Sequence, residues 1–289
     1  MTCLIPRRYL GLALSAIFVL GLAFTLGAAL NKTQQQKEQL IPFLRVYSAA
    51  DEAGLLALKR HGHAHDGGYV VPIKAIETAD LMMGYGIADD ASFEEEFSTH
   101  YHKPSYGFDC GVDHINSQNK LFSFVNECIG NDSFLYRSQH SSKKITSYSE
   151  QRAALHLNGK KIFMKMDIEG AEYEALKDVL KQPSEITGLV LEIHFYNRKM
   201  IEQAIQLLSS LDQHFLLLHV HGNNYTRHYF SSKSASGQVP QVLELTYINK
   251  ALVTEYHLSS NQSHPLPIDT PNNPKAKDAN FTIHSLIVA

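Results

Sequence analysis

The sequence predicts an α/β fold on a mainly parallel sheet, with one membrane-length apolar helix at its N-terminal end. Three observations carry this. Seven short apolar runs recur along the chain, longer amphipathic stretches separate most of them, and Tyr9 to Leu30 contains no charged residue. The runs are Leu81–Met83, Ser105–Phe108, Leu121–Val125, Ile162–Met166, Leu189–Ile193, Phe215–Val220 and Val242–Ile248. Helices are predicted at Ser92–His100, Ala171–Leu180 and Lys199–Leu211, the alternation expected of βαβ units.

Taken in order, residues 1–8 read as a short cytoplasmic tail and 9–30 as a signal-anchor. At about 1.5 Å per residue the apolar segment reaches roughly 33 Å, enough to cross a hydrocarbon core. Arg7 and Arg8 outweigh Lys32, Lys37 and Glu38 on the far side, which keeps the N-terminus cytoplasmic and places the domain in a lumen, periplasm or exterior. Gly27-Ala28-Ala29 leaves open a cleavage that would release a secreted form. A twin-arginine reading fits poorly, because Pro6 precedes the arginine pair. Residues 31–39 form a polar, glutamine-rich stem. From Ile41 to Arg60, apolar residues around Leu44, Leu55, Leu56 and Leu58 predict an opening helix. The domain then runs over 40–258. The Ser-, Asn- and Pro-rich stretch 259–289 is expected as a loose tail, with Phe281–Val288 returning as an edge segment.

A chain of 289 residues with 44% hydrophobic content can bury a real core. The net charge of −3 supplies no basic field for phosphates, so nucleic acid is not an expected partner. Cys110 and Cys128 are the two cysteines that could pair inside the domain, and the sequence leaves their pairing open, as it does the oligomeric state. Asn-x-Ser/Thr acceptors at Asn31, Asn131, Asn224, Asn261 and Asn280 would suit a secretory-pathway surface.

Three motifs carry candidate chemistry. Met83-Gly84-Tyr85-Gly86-Ile87 ends the first run, and glycines there let backbone approach a ligand. Ser92 and Glu95 have capping-box spacing for the next helix. Tyr106-Gly107-Phe108-Asp109 places a carboxylate at the end of the second run, suited either to ribose hydroxyls or to a simple Asp turn. The third motif, Lys165-Met166-Asp167-Ile168-Glu169-Gly170-Ala171-Glu172, gathers three acids at a strand-to-helix junction, where they repel unless something positive sits among them. Glu169 and Glu172 also suit a helix N-terminus, whereas Asp167 at the strand tip faces the crevice where open α/β sheets bind ligands.

These motifs resemble the FkbM-type methyltransferases, particularly a methyltransferase-like branch with membrane-anchored and secreted members. Asp66-Gly67-Gly68-Tyr69-Val70, Glu192-Ile193-His194, His221-Gly222-Asn223-Asn224 and Glu244-Leu245-Thr246-Tyr247 extend the resemblance over roughly His61 to Asn249. It implies a Rossmann-like methyltransferase sandwich with a seven-stranded, mainly parallel sheet. It also implies S-adenosylmethionine as methyl donor and an oxygen of a small-molecule or glycan acceptor as the target. Gly84, Tyr85, Gly86 and Asp109 would hold the cofactor, and Asp167, Glu169 and His194 would lie on the acceptor side. The first glycine motif is shorter than the Gly-rich pattern of ordinary methyltransferases.

A hydroxyl that attacks the sulfonium methyl must lose its proton, and His194 or Asp167 is placed to take it or to orient the acceptor. His194 reads equally as a hydrogen-bonded core histidine. His61, His63 and His65 alternate as zinc ligands would, but no downstream ligand set accompanies them, and no metal is assigned. His219 and His221 are read as structural or solvated. Two other readings compete: a luminal glycosyltransferase using Asp167-x-Glu169 with a metal, and a catalytically silent Rossmann-like binding domain.

Overall fold

The computed structural model describes residues 30–130, 144–260 and 262–284. Nearly all of the apolar segment 9–30 lies outside them. Among the described residues no helix is long and apolar enough to cross a membrane.

All seven predicted strands form, and they make one sheet. They are β1 (Leu81–Tyr85), β2 (Ser105–Phe108), β3 (Phe122–Val125), β4 (Ile162–Met166), β5 (Ile186–His194), β6 (Phe215–Gly222) and β7 (Val242–Asn249). The strand order is β6-β7-β5-β4-β1-β2-β3. β7 runs antiparallel between β5 and β6, and the pairs among β5, β4, β1, β2 and β3 are parallel. β1, β4, β5, β6 and β7 are buried throughout, which is why they read as continuous apolar runs.

Five helices cover the sheet: α1 (Ile73–Thr78), α2 (Ser92–Tyr101), α3 (Tyr148–Ala154), α4 (Glu172–Val179) and α5 (Arg198–Leu211). Side-chain alternation sends Leu81, Met83, Ile162 and Met164 toward α4 and α5, and Met82 and Phe163 toward α1 and α2. The result is a three-layer α/β sandwich. The cap of α2 differs from expectation: Ser92 makes no side-chain cap, and its backbone N–H donates to Asp90 Oδ1 instead. A capping box does form, at Ser147 and Glu150 on α3.

Three sequence expectations fail at the periphery. Residues 47–61 form short strands rather than an opening helix. Tyr47–Asp51 pairs with Glu255–Leu258, and Leu58–His61 pairs with Tyr69–Pro72. The apparent helical spacing misled because Leu55 faces solvent and the chain turns at Asp51–Gly54, where Asp51 Oδ1 accepts from Ala53 N and Gly54 has φ +121°. The stem, 30–40, is helical and docks on the domain: Gln36 Nε2 donates to Glu202, and Glu38 accepts from Ser232 Oγ at 2.7 Å.

The C-terminal stretch is not loose. Residues 262–284 form a strap across β6 and β7. Gln262–His264 and Phe281–Ile283 pair in a small sheet, with Phe281 buried, and Asp269 meets His219 at 2.9 Å. Its Asp269 and Asp278, which read as loop formers, are the partners of the buried His219 and His221, and Asn272 donates to the buried Glu244. Residues 285–288 of the expected edge segment lie outside the described residues.

Candidate functional site

β1, β2 and β4 end together, with Tyr85 in register with Phe108 on one side and Met166 on the other. Chain order reverses between β1 and β4, and this opens a crevice at the carboxyl ends of the strands. Two cavities occupy it. The first, about 350 Å³, is lined by Tyr85, Gly86, Asp109, Glu127 and the disulfide-bonded Cys110 and Cys128. The second, about 320 Å³, is lined by Glu192, His194, Tyr196, Asn223 and Tyr225. Asp66, Asp167 and Glu169 line both, so the cavities meet at these three carboxylates. Among the described residues, no lysine or arginine lines either.

Two tight turns shape the meeting point. After β1, Gly86 and Ala88 have φ of +72° and +47°; after β4, Glu169 and Gly170 have +55° and +96°. Positive φ costs a non-glycine residue about 1–2 kcal/mol, so Ala88 and Glu169 must be held in place. Asp109 holds the first turn: its Oδ2 accepts from Ala88 N at 2.8 Å and its Oδ1 from Gly111 N. Glu172, at the start of α4, holds the second by accepting from the backbone N–H groups of Ile168 and Gly170 at 3.2 and 3.1 Å.

The acids at this junction surround one histidine. His194 Nδ1 lies 3.2 Å from Glu172, and its Nε2 lies 3.2 Å from Glu192 and 3.3 Å from Glu169. Burial opposes its charge, but the hydrogen bonds and charges of Glu172 and Glu192 prevail and push its pKa up to about 11. In its protonated form His194 donates to the carboxylates around it. It is the positive group that the acids required.

Asp167 Oδ2 accepts from Tyr69 Oη at 3.0 Å, while its Oδ1 is shielded and has no partner. Burial and the Glu192 carboxylate push its pKa well above the carboxylate range. Burial likewise raises Glu192, whose Oε2 accepts from Asn223 Nδ2 at 2.9 Å.

The remaining expected site residues divide. Gly86 and Asp109 line the first cavity. Tyr85 does too, but its ring is buried, stacked on Phe108 at 4.9 Å, and its hydroxyl donates to Gln151 Oε1. Gly84 lines neither cavity, and its missing Cβ makes room for the buried Glu94 carboxyl. His61, His63 and His65 do not converge. His61 pairs with Glu96 at 3.1 Å and His65 with the Pro271 carbonyl at 2.9 Å. His219 and His221 are buried and paired with acids, which corrects the solvated reading. Asn224 is buried too, its amide donating to the Asn273 carbonyl, so it is closed to glycosylation.

Sequence reading counted Asp66, Glu192 and Tyr69 among the motif residues but not among those of the site. Asp66 reaches the site because Asn272, 206 residues away, donates to its carboxylate at 3.3 Å, a contact with no local signal. Among the described residues, Asp167, Glu172 and His194 have ligand atoms close enough to hold a metal together.

No protein-family model matches this chain, and no curated protein does. Among solved structures, a chain of the fibrillarin/Nop5p complex is similar to it, with a TM-score of 0.32 and 9% identity over 68% of this chain and 93% of that one.

Proposed function

We propose that the chain transfers a methyl group from S-adenosylmethionine to an oxygen of a small-molecule or glycan acceptor. The lining of the first cavity carries this reading. Among the described residues it presents Asp66, Asp109, Asp167 and Glu169, with Glu127 paired to Lys144 at the rim, and no lysine or arginine in the lining itself. Such a wall suits a ligand bearing sulfonium and ammonium charges and repels a nucleotide diphosphate. The same observation disfavours the glycosyltransferase reading, whose sugar nucleotide needs positive charge beside the acids.

In this reading Asp109 meets the ribose with the lone pairs left by its two backbone hydrogen bonds. Gly86 and Asp109 would hold the donor in the first cavity, where it would supply the methyl group, and the second cavity would take the acceptor. Asp167 accepts a hydrogen bond from the attacking hydroxyl and orients it in line with the sulfonium. His194 fixes Glu169, Glu172 and Glu192 around it. The Cys110–Cys128 disulfide supports placement in an oxidising compartment, in keeping with an anchor at residues 9–30 and a domain outside the cytoplasm. Protease protection in sealed microsomes checks that placement.

Calorimetry on the full-length protein tests the donor. Binding of S-adenosylmethionine is expected in the micromolar range, about −8 kcal/mol, and no tighter for the uncharged thioether product. Heat from a nucleotide sugar with Mn²⁺, and none from either adenosyl compound, would overturn the reading. Donor binding with no turnover on any acceptor would instead support the silent binding domain.

A further inference from the structure

Asp167, Glu172 and His194 each direct one ligand atom to a common region, all within 4.8 Å of one another. We propose that this cluster binds one divalent transition-metal cation through a carboxylate oxygen of Asp167, one of Glu172 and a ring nitrogen of His194, whose proton the cation displaces to solvent. Acidic groups alone do not make such a site. The second observation is Glu172 itself: its side chain is wholly buried, its Oε1 serves the turn after β4, and its Oε2 has no partner. Asp167 Oδ1 is in the same condition. A shielded carboxylate oxygen without a donor costs free energy that a cation bound to it recovers.

The surroundings agree with the charge and class of the ion. Glu169 and Glu192 approach His194 Nε2 at 3.3 and 3.2 Å and deepen the negative field. One imidazole and two carboxylates suit Mn²⁺, Fe²⁺ or Zn²⁺, and the absence of a thiolate from the cluster argues against Cu⁺. Ligands about 2.0–2.2 Å from a common ion stand about 3–4 Å apart, so small side-chain rotations close the present spread.

Asp167 and His194 also line the second cavity, which leaves the remaining coordination positions open to whatever occupies it. An acceptor oxygen bound there would lose its proton more readily. That consequence rests on the methyl-transfer reading; the cation site does not.

The test uses full-length protein stripped of metal with EDTA and titrated with Mn²⁺, with free ion followed by electron paramagnetic resonance. One Mn²⁺ per chain is expected, with ¹⁴N modulation in the spin-echo signal from His194. Glu172→Gln and His194→Gln should weaken binding by about tenfold or more, and His194→Gln should abolish the nitrogen modulation. His219→Gln, which alters a buried pair outside the cluster, should bind as wild type does. Should Glu172→Gln fail to fold, Asp167→Asn provides the same readout from the cavity wall. The proposal is overturned by wild-type protein that binds no Mn²⁺, by bound Mn²⁺ without nitrogen coupling, or by affinity that Asp167→Asn and His194→Gln leave unchanged.

Discussion

A Cβ at position 86 would overlap the Asp167 carbonyl, and φ there is +72°. Gly86→Ala should therefore destabilise the fold by about 2 kcal/mol or more and distort the site, measured by urea unfolding. Asp109 and Asp167 separate by function. Asp109→Ala frees the Ala88 turn and should abolish donor binding. Asp167→Asn should spare donor binding and stop turnover, and equal loss from both changes would contradict the division. Asp167 was legible because a carboxylate at the tip of an apolar strand faces the crevice. The coupling of His194 to Glu172 was not, since it depends on how β5 stands beside β4. A glycine pair reads alike in sequence whether it admits a ligand or a neighbouring side chain, as Gly84 admits Glu94.

The central strands and α5 were legible because burial writes itself into apolar runs and helical stripes. α5 buries Ile201, Ala204, Leu207, Leu208 and Leu211, and Leu208→Ala should cost about 2–5 kcal/mol in chemical denaturation. The strap was illegible, because its partners are histidines on β6 rather than neighbours in sequence. Its hold on the sheet should depend on pH in two directions. His221 faces Glu244 and Asp278, with Asp269 nearby; burial opposes its charge, but these acids push its pKa up to about 10. Its contribution is full below the ordinary imidazole value near 6.5 and is lost as pH rises through about 10. His264 is stacked on Phe281, and burial, with the charges of His219 and His221 outweighing Asp269, lowers it to about 4. The unfolded chain binds that proton more readily, so stability falls as pH drops from about 6.5 toward 4. Hydrogen-exchange protection over residues 262–284, taken relative to the intrinsic rate at each pH, should be greatest near neutrality and fall on both sides; a flat protection profile would count against this account.

Across the whole molecule, the Cys110–Cys128 bridge closes a loop with a sequence separation of 18 and ties the end of β2 to the rim of the first cavity. Replacing both cysteines with serine should cost about 3 kcal/mol and weaken donor binding, read by thermal denaturation and calorimetry. The α/β architecture was open to sequence reasoning because each layer is local. Completion of the site was not, because Asp66 and Asn272 come from opposite ends of the domain. This pairing has a consequence during synthesis. A ribosome can deliver every strand of the central sheet while residue 272 is still inside its exit tunnel, and at that stage Asp66 lacks its Asn272 anchor. The nascent protein can hold its core before its site is finished, so a chain stopped within the strap would yield a compact product with an incomplete crevice.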